Sequence, residues 1–599
     1  MKLKASRKIL LEGVDRTDWI IWGLFVIVCF VSYQHGDILH TGGSSIAYLN
    51  GHFADFYEYN KDLMGGNNYM PTTYVLFAIW NIPVRLLGLI TEPSMSVGAV
   101  VRMWYKFGTF LLFLGTGYVI YKICIEKLVP QNKAVLAAFL FVSNPIAIYS
   151  ELIFGQYDIL TTFFICLGFY YYVKEEQKKF VLSFAVAITC KYFAILIFIP
   201  LLLLKEKNVW KMIRDIAGGF SLFVIETLLY LTSDAFVSGV FGFGAVDYIF
   251  NVSLDTGFAK ISIVVLLWGL LCAFCYFKQC SGYDWLSWGI YVSCMVMFLS
   301  FGLSMWHPQW LLMAMPFLTL GMFFNKDMDI YLLLDLLLMV LFTLYVVNTW
   351  TRACDQNLFN LGIFARYTIG IEQNITMSDL LVLKDTNLIF SLWAAVLLSY
   401  VVYLHPKKMF RPENAGSNFR KSILRLRYIG GCCIFILPSV LSVALNTILP
   451  NVVYASSQEI TEIVGAMQEG DVYEQVFTVQ KDSITGIAIN IGTYQKENHS
   501  ILKCELIHKN TDSICNTLEI DTSELVDNQY VRFEFEDAVK VISGETYAVR
   551  ISGKRIFSED TFTFYRMGEK PESTVESGNY AMINGIKQNY DLAIMIYGK

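Results

Sequence analysis

The sequence predicts a polytopic α-helical membrane protein with about eleven spans, a broken-helix hairpin and interfacial helices, followed by an extracytoplasmic, C-terminal all-β sandwich of jelly-roll type. Three observations predict it. The 599 residues have a mean hydropathy of +0.48, 55% hydrophobic residues and only 16% charged ones, far too apolar for a soluble globular chain. Apolar runs of bilayer-crossing length recur as far as residue 448. From Asn451 onward the pattern changes to period-two runs bounded by turn residues.

The apolar runs fall near 19–34, 104–121, 134–151, 159–173, 216–232, 260–277, 285–304, 311–324, 329–347, 387–404 and 428–448. Lysine and arginine orient them. The connections Met1–Lys8, Lys122–Lys133, Lys174–Lys179, Lys205–Arg214 and His405–Arg427 are basic and read as cytoplasmic, whereas those holding Asp37–Asp62, Asp234–Asp255 and Asp355–Asp379 are acidic and read as outside. The start resembles a signal-peptide n-region, but no small-residue cleavage site follows, so it reads as an uncleaved first span with a cytoplasmic N-terminus. An odd number of spans then puts the C-terminal domain outside the cytoplasmic membrane.

Two segments break a simple count. Pro71–Ile90 contains Asn81, Pro83 and Arg85 and reads as an interfacial or re-entrant helix on the outer face. Phe180–Leu204 is apolar except for Lys191 and has positive loops on both sides, which suits two short helices broken near Lys191 at an outward apex.

Beyond Asn451, strands are predicted at Glu474–Val479, Thr485–Asn490, Tyr530–Phe535, Thr546–Ile551, Thr561–Tyr565 and Leu592–Tyr597. The domain reading is therefore 1–450 as a membrane module, with the outer loop 35–100 as one wall of a catalytic site, and 451–599 as the sandwich. The thirteen cysteines lack zinc-type spacing and read as small core residues. Cys504 and Cys515 are set apart, flanking the turn Lys509-Asn-Thr-Asp512, and could be bridged in an extracytoplasmic domain. A net charge of -5 and the absence of a basic cluster interleaved with aromatics argue against nucleic acid as a partner.

Charged groups at membrane depth cost several kcal/mol unless they face protein or a wet cavity, so each is a candidate for function. Asp37 follows the first span directly, and Asp55 and Glu58 continue its acidic loop. Phe154-Gly-Gln-Tyr-Asp158 sits at an outer helix end, Lys191 marks the broken hairpin, and Trp306-His-Pro-Gln-Trp310 joins two spans outside. Each also has a plain structural reading: a helix cap for Asp37 and Asp158, snorkelling for Lys191, an interfacial imidazole for His307, and loop cations for Arg352 and Arg366. Together they suit displacement of a lipid phosphate from the anomeric carbon of a sugar. A carboxylate takes the proton from the attacking hydroxyl, while lysine or arginine holds the phosphate. Phosphate leaves without protonation, so no second acid is required; the one cofactor left open is a divalent cation held by Asp37 and Asp158, with no metal-ligand cluster of adequate spacing behind it.

The acidic loop after the first span, Pro-Thr-Thr-Tyr74, Gly-Gln-Tyr-Asp158, Cys190-Lys191-Tyr192 and His307-Pro-Gln together resemble the glycosyltransferase C superfamily over residues 15–400. The nearest branches are the bacterial mannosyltransferases similar to those of GPI-anchor synthesis and the dolichyl-phosphate-glucose-dependent glucosyltransferases. The resemblance implies an inverting hexosyltransferase that uses a polyprenyl-phosphate sugar from the outer side of the membrane. It implies Asp37 as the catalytic acid of the first loop, Gln156 and Asp158 as the family motif, and Lys191 as the basic residue after it. Two departures matter: Pro-Thr stands where Pro-Pro is common, and His307-Pro-Gln where a His-Glu-Arg type motif is frequent. With arginine missing there, Lys191, Arg102 or Arg366 would make the donor-phosphate contacts.

The expected activity is transfer of one sugar from undecaprenyl phosphate to a glycan or glycolipid acceptor outside the membrane. The competing readings are a transporter or flippase of a lipid-linked sugar and a membrane-anchored carbohydrate-binding protein. Transport would call for paired charges in several spans, and only Lys191, Glu226 and Asp335 stand at that depth.

Overall fold

The computed structural model describes residues 13–598 except 243, 245–247, 249–250, 283, 351–353, 355–357, 360–361, 364–375, 382–384, 407–411, 413–414, 449–450, 455–459, 480, 495, 526, 528 and 568–578. Arg352 and Arg366 therefore lie outside the described residues. The chain forms two compact units, a helical one reaching Val440 and a second, from Leu441, that carries the sandwich strands.

Every apolar run forms helix, but the helices differ in length. Among the described residues five are long and apolar enough to cross a membrane: Ala99–Glu126, Asp284–Phe301, Met328–Thr349, Thr386–Tyr403 and Lys421–Leu445. The number rises to seven if two bent pairs each count as one span. Asp158–Val173, Ala194–Lys205, Ile263–Phe277 and Pro308–Phe323 are shorter apolar helices, which is why the runs outnumber the full-length spans. Ile20, Leu24, Ile27, Leu228, Leu229 and Leu270 stand exposed on this unit, an apolar surface suited to a bilayer.

The breaks have local causes. The first helix, Arg16–Ser32, opens on a capping box between Asp15 and Asp18 and ends where Tyr33 turns extended, bending 71° into Gly36–Leu49. The run 134–151 bends 55° at Asn144-Pro145, where the Asn144 side chain accepts from the N–H groups of Ile146 and Ala147 at 3.0 and 3.1 Å. The run 180–204 separates into Gln177–Cys190 and Ala194–Lys205, with Lys191 in extended backbone at the break. Pro71–Leu86 is a 16-residue helix with proline in its first turn.

Arg427, read from the sequence as the last cation of a cytoplasmic loop, is instead fully buried. Its guanidinium meets Asp335 at 2.8 Å and donates to the Leu140 carbonyl at 3.0 Å, and Asn144 donates to the same carboxylate at 3.3 Å. Asp335 is therefore a structural partner, and a helix-borne arginine can reach it because the π-helical turn Leu426–Gly430 lies inside the bundle. The second intramembrane acid, Glu226, accepts from the Thr72 hydroxyl.

The helical unit also carries a short hairpin, β1 (Ser253–Asp255) with β2 (Lys260–Ser262). The second unit holds β3 (Asn451–Tyr454), β4 (Ile460–Ala466), β5 (Val472–Thr478), β6 (Ser483–Gly492), β7 (Ile501–His508), β8 (Ser513–Asp521), β9 (Gln529–Lys540), β10 (Thr546–Arg555), β11 (Thr563–Met567), β12 (Tyr580–Ile583), β13 (Ile586–Lys587) and β14 (Ile594–Gly598). One six-stranded antiparallel sheet runs β13-β12-β5-β10-β7-β8; the other runs β3-β14-β6-β11-β4, with β9 also paired to β6. Tyr473 of β5 stacks on Phe564 of β11 at 4.6 Å, joining the two inner faces over a core that includes Phe477, Ile487, Val549 and Ile594. All six predicted strands are present.

The Lys509–Asp512 turn closes the β7–β8 hairpin, but the bridge expected beside it does not form. Cys504 pairs across the ladder with Leu518 and is buried, whereas Cys515 falls at the register shift between Leu506 and Ile507 and points outward. Opposite faces of a strand pair cannot share a disulfide.

Replacing Arg427 by leucine strands the Asp335 carboxylate and should cost about 3–5 kcal/mol in denaturant unfolding of the detergent-solubilised protein. The double variant Arg427→Met with Asp335→Leu should recover most of that loss.

Candidate active site

The site is assembled from helix ends. Gly36–Ser44 begins at His35, whose Nδ1 accepts the Asp37 N–H at 3.1 Å, and this places the Asp37 carboxylate in the first turn, half-exposed. Gln156 holds that carboxylate through Nε2, which also lies 3.0 Å from His35 Nδ1. The His35 ring stacks on Phe154 at 4.1 Å. Burial holds this imidazole below the ordinary histidine value, with Asp37 opposing the shift, so Nδ1 is free to accept.

Gln156 owes its position to Gly155. The π-helical turn Tyr149–Phe154 ends there, with Gly155 at φ +65° and its N–H bonded to the Ser150 carbonyl, a left-handed backbone that glycine adopts without strain. Two residues on, Asp158 begins the next helix, fully buried, and forms an ion pair with Lys191 from the break after Gln177–Cys190. Both charges suit their helix ends: the carboxylate sits in the first turn of one helix and the ammonium at the C-cap of another. The ammonium also lies 4.7 Å from the Trp310 ring centroid. Gln156 Oε1 and Asp158 Oδ2 are buried with no hydrogen-bond partner among the described residues.

Lys191 and Trp310 line a largely apolar cavity of about 240 Å³, walled also by Tyr69, Met70, Tyr192 and Phe223. His307 stands next to Trp310 and Trp350, with ring centroids 4.8 and 4.3 Å away. Burial, and then the nearby Lys191 ammonium, push its imidazole down to about 4.

The structure thus brings Asp37 to Gln156 and, two residues on, Asp158 to Lys191, with His307 beside Trp310. The other predicted residues are engaged elsewhere. Asp55 meets His52 at 2.9 Å, and that imidazole pulls its carboxyl below the usual range. Glu58 accepts from the Ala235 N–H and the Ser233 hydroxyl at 2.9 and 2.8 Å, which lowers its carboxyl in the same way. Arg102 is half-buried in the first turn of Ala99–Glu126, with no ion pair among the described residues. No group of three or more His, Cys, Asp or Glu able to hold a cation occurs among the described residues, and the two carboxylates named for one are engaged by Gln156 and Lys191.

Sequence reasoning gave no role to His35 or Lys106. Lys106 lies inside the apolar run 104–121, so the signal of an intramembrane charge was present, but nothing local indicates its partners.

A search of curated protein sequences found no match. Among solved structures, the chain is similar to ArnT from Cupriavidus metallidurans bound to undecaprenyl phosphate, with 11% identity, a TM-score of 0.38, and 72% of this chain and 78% of that one covered. It is also similar to the arabinosyltransferase EmbB from Mycobacterium smegmatis, with 10% identity and a TM-score of 0.38, covering 92% of this chain and 64% of that one. The family model of glycosyltransferase family 87 matches residues 68–369, a span that includes Gln156, Asp158, Lys191 and His307 and begins after Asp37. A model matching that much of the sequence establishes the family: this chain belongs to glycosyltransferase family 87.

Proposed function

We propose that this glycosyltransferase moves a single sugar, with inversion, from a polyprenyl-phosphate donor such as undecaprenyl phosphate to a glycan or glycolipid acceptor on the outer side of the cytoplasmic membrane. One observation carries the reading. A half-exposed carboxylate, Asp37, is bonded to Gln156, and two residues farther on the buried Asp158 pairs with Lys191, which lines a largely apolar cavity.

In this reading the cavity takes the first isoprene units and the phosphate lies against the Lys191 ammonium. Asp37 accepts the proton of the acceptor hydroxyl while that oxygen forms its bond to the anomeric carbon. The bond from the anomeric carbon to the phosphate oxygen breaks on the opposite face, and its electron pair leaves with the polyprenyl phosphate. Because the leaving phosphate is stable as an anion, no second acid is needed. Lys191 then stabilises charge that grows during the step, in a site where few dipoles of water compete. The unpartnered Gln156 Oε1 and Asp158 Oδ2 are acceptors suited to sugar hydroxyls.

Asp37→Asn keeps the shape of the side chain and removes the base. Transfer from labelled polyprenyl-phosphate sugars should fall by roughly 10²–10⁴-fold in kcat while undecaprenyl phosphate still binds. Wild-type turnover in that variant would remove Asp37 from the chemistry. Lys191→Met should instead weaken undecaprenyl-phosphate binding, by about 1.5–3 kcal/mol for one charge-assisted contact, read as a raised Kd in equilibrium titration.

His307 makes a separate prediction about stability. Its folded value of about 4 lies below the ordinary 6.5, so between those values the unfolded chain binds a proton that the folded site refuses. Stability is therefore full above about pH 6.5 and declines on acidification toward pH 4. In thermal unfolding across this window, His307→Gln should show a shallower decline than wild type.

A further inference from the structure

We infer that Lys106 is a positioning residue for Asp37, joining the loop that carries the proposed base to the loop that carries Gln156; the inference rests on the reading of Asp37 given above. Lys106 projects from the Ala99–Glu126 helix and is 1% exposed. Its ammonium donates to the carbonyls of Cys29, Phe30 and Tyr33 at 3.2, 2.8 and 2.6 Å. These are carbonyls at the end of Arg16–Ser32, which its own hydrogen-bond ladder leaves open. A cation there also meets the negative end of the helix dipole.

The clamp acts on the reacting region through both of its neighbours. Tyr33, the last residue it holds, precedes Asp37 by only Gln34, His35 and Gly36. The backbone of this link is tied once more, by the Gln34 N–H to the Leu358 carbonyl at 2.8 Å. On the other side the Lys106 stem packs on Gly155, where an added Cβ would lie 3.3 Å from Lys106 Cε. The next residue is Gln156, whose amide grips the Asp37 carboxylate. Glu151 is fully buried in the turn before Gly155. One side chain thus sets the spacing between the helix end that presents Asp37 and the turn that orients it. A serine or threonine cap could satisfy a carbonyl, but it could not span from a neighbouring helix to three of them.

The test uses the full-length protein and a double-mutant cycle. Lys106→Met keeps the length of the stem and removes the donors. It should lower kcat roughly 10- to 100-fold, the scale of a misplaced reacting group, while the Kd for undecaprenyl phosphate stays within about twofold. In an Asp37→Asn background the same substitution should have no further effect on residual transfer, to within about twofold. Should Lys106→Met fail to accumulate as folded protein, Lys106→Gln, whose amide retains two donors, carries the same cycle with a smaller loss. Unchanged kcat in the folded variant, or losses that multiply with Asp37→Asn, would overturn the role of Lys106 while leaving Asp37 intact. Wild-type activity of Asp37→Asn alone would instead overturn the reading of the base.

Discussion

A helix that stops inside an apolar bundle leaves amides and carbonyls that water cannot reach, and each has to find a partner in the protein. The proposed site of this glycosyltransferase lies at such ends. Lys106 closes the end of Arg16–Ser32, His35 opens Gly36–Ser44, Gly155 ends the π-helical turn, Asp158 begins one helix, and Lys191 ends another. Two of these ends are closed by side chains, Lys106 on the carbonyls that end Arg16–Ser32 and His35 on the Asp37 N–H, so there the capping group also helps to set the place of Asp37.

The same constraint sorts the buried charges. Asp335 and Arg427 neutralise each other with further bonds from Asn144 and to Leu140. They belong to the architecture. The Asp158–Lys191 pair differs, since the ammonium lines a cavity and one carboxylate oxygen lacks a partner. A pair left incomplete beside an open space is what a site awaiting a polar ligand requires, because a buried acceptor without a donor is otherwise a net cost. Asp37 is different again: it is half-exposed, as the base proposed for it has to be.

The second unit follows period-two patterning, which is local in origin. The six strands read from the sequence are among those with clear alternation, such as Thr485–Asn490 within β6 and Thr546–Ile551 within β10. Alternation was not used everywhere it occurs: β7 alternates from Leu502 to Leu506 and the edge strand β8 from Thr517 to Asp521, and neither was read as a strand. The Cys504–Cys515 bridge failed because a register cannot be read from spacing: Cys504 lies opposite Leu518, three residues from Cys515, and Cys515 alternates to the exposed face.

The sequence by itself determined that the chain is a membrane protein of apolar helices with a β part after residue 450, where its main helices break, and that Asp37, Gln156, Asp158 and Lys191 lie at helix ends. These follow from hydropathy, proline and glycine placement, and isolated charges in apolar runs, all of which are local. Only the tertiary structure decided which charge meets which: that Lys191 pairs with Asp158, that Arg427 leaves the basic loop to hold Asp335, that Asp55 and Glu58 serve their own loops, and that Lys106 reaches back to the first helix. Partners separated by 33 to 92 residues in the ion pairs and by 73 to 77 in the Lys106 clamp are brought together by helix packing, and one chain's local pattern carries no record of which helices will be neighbours.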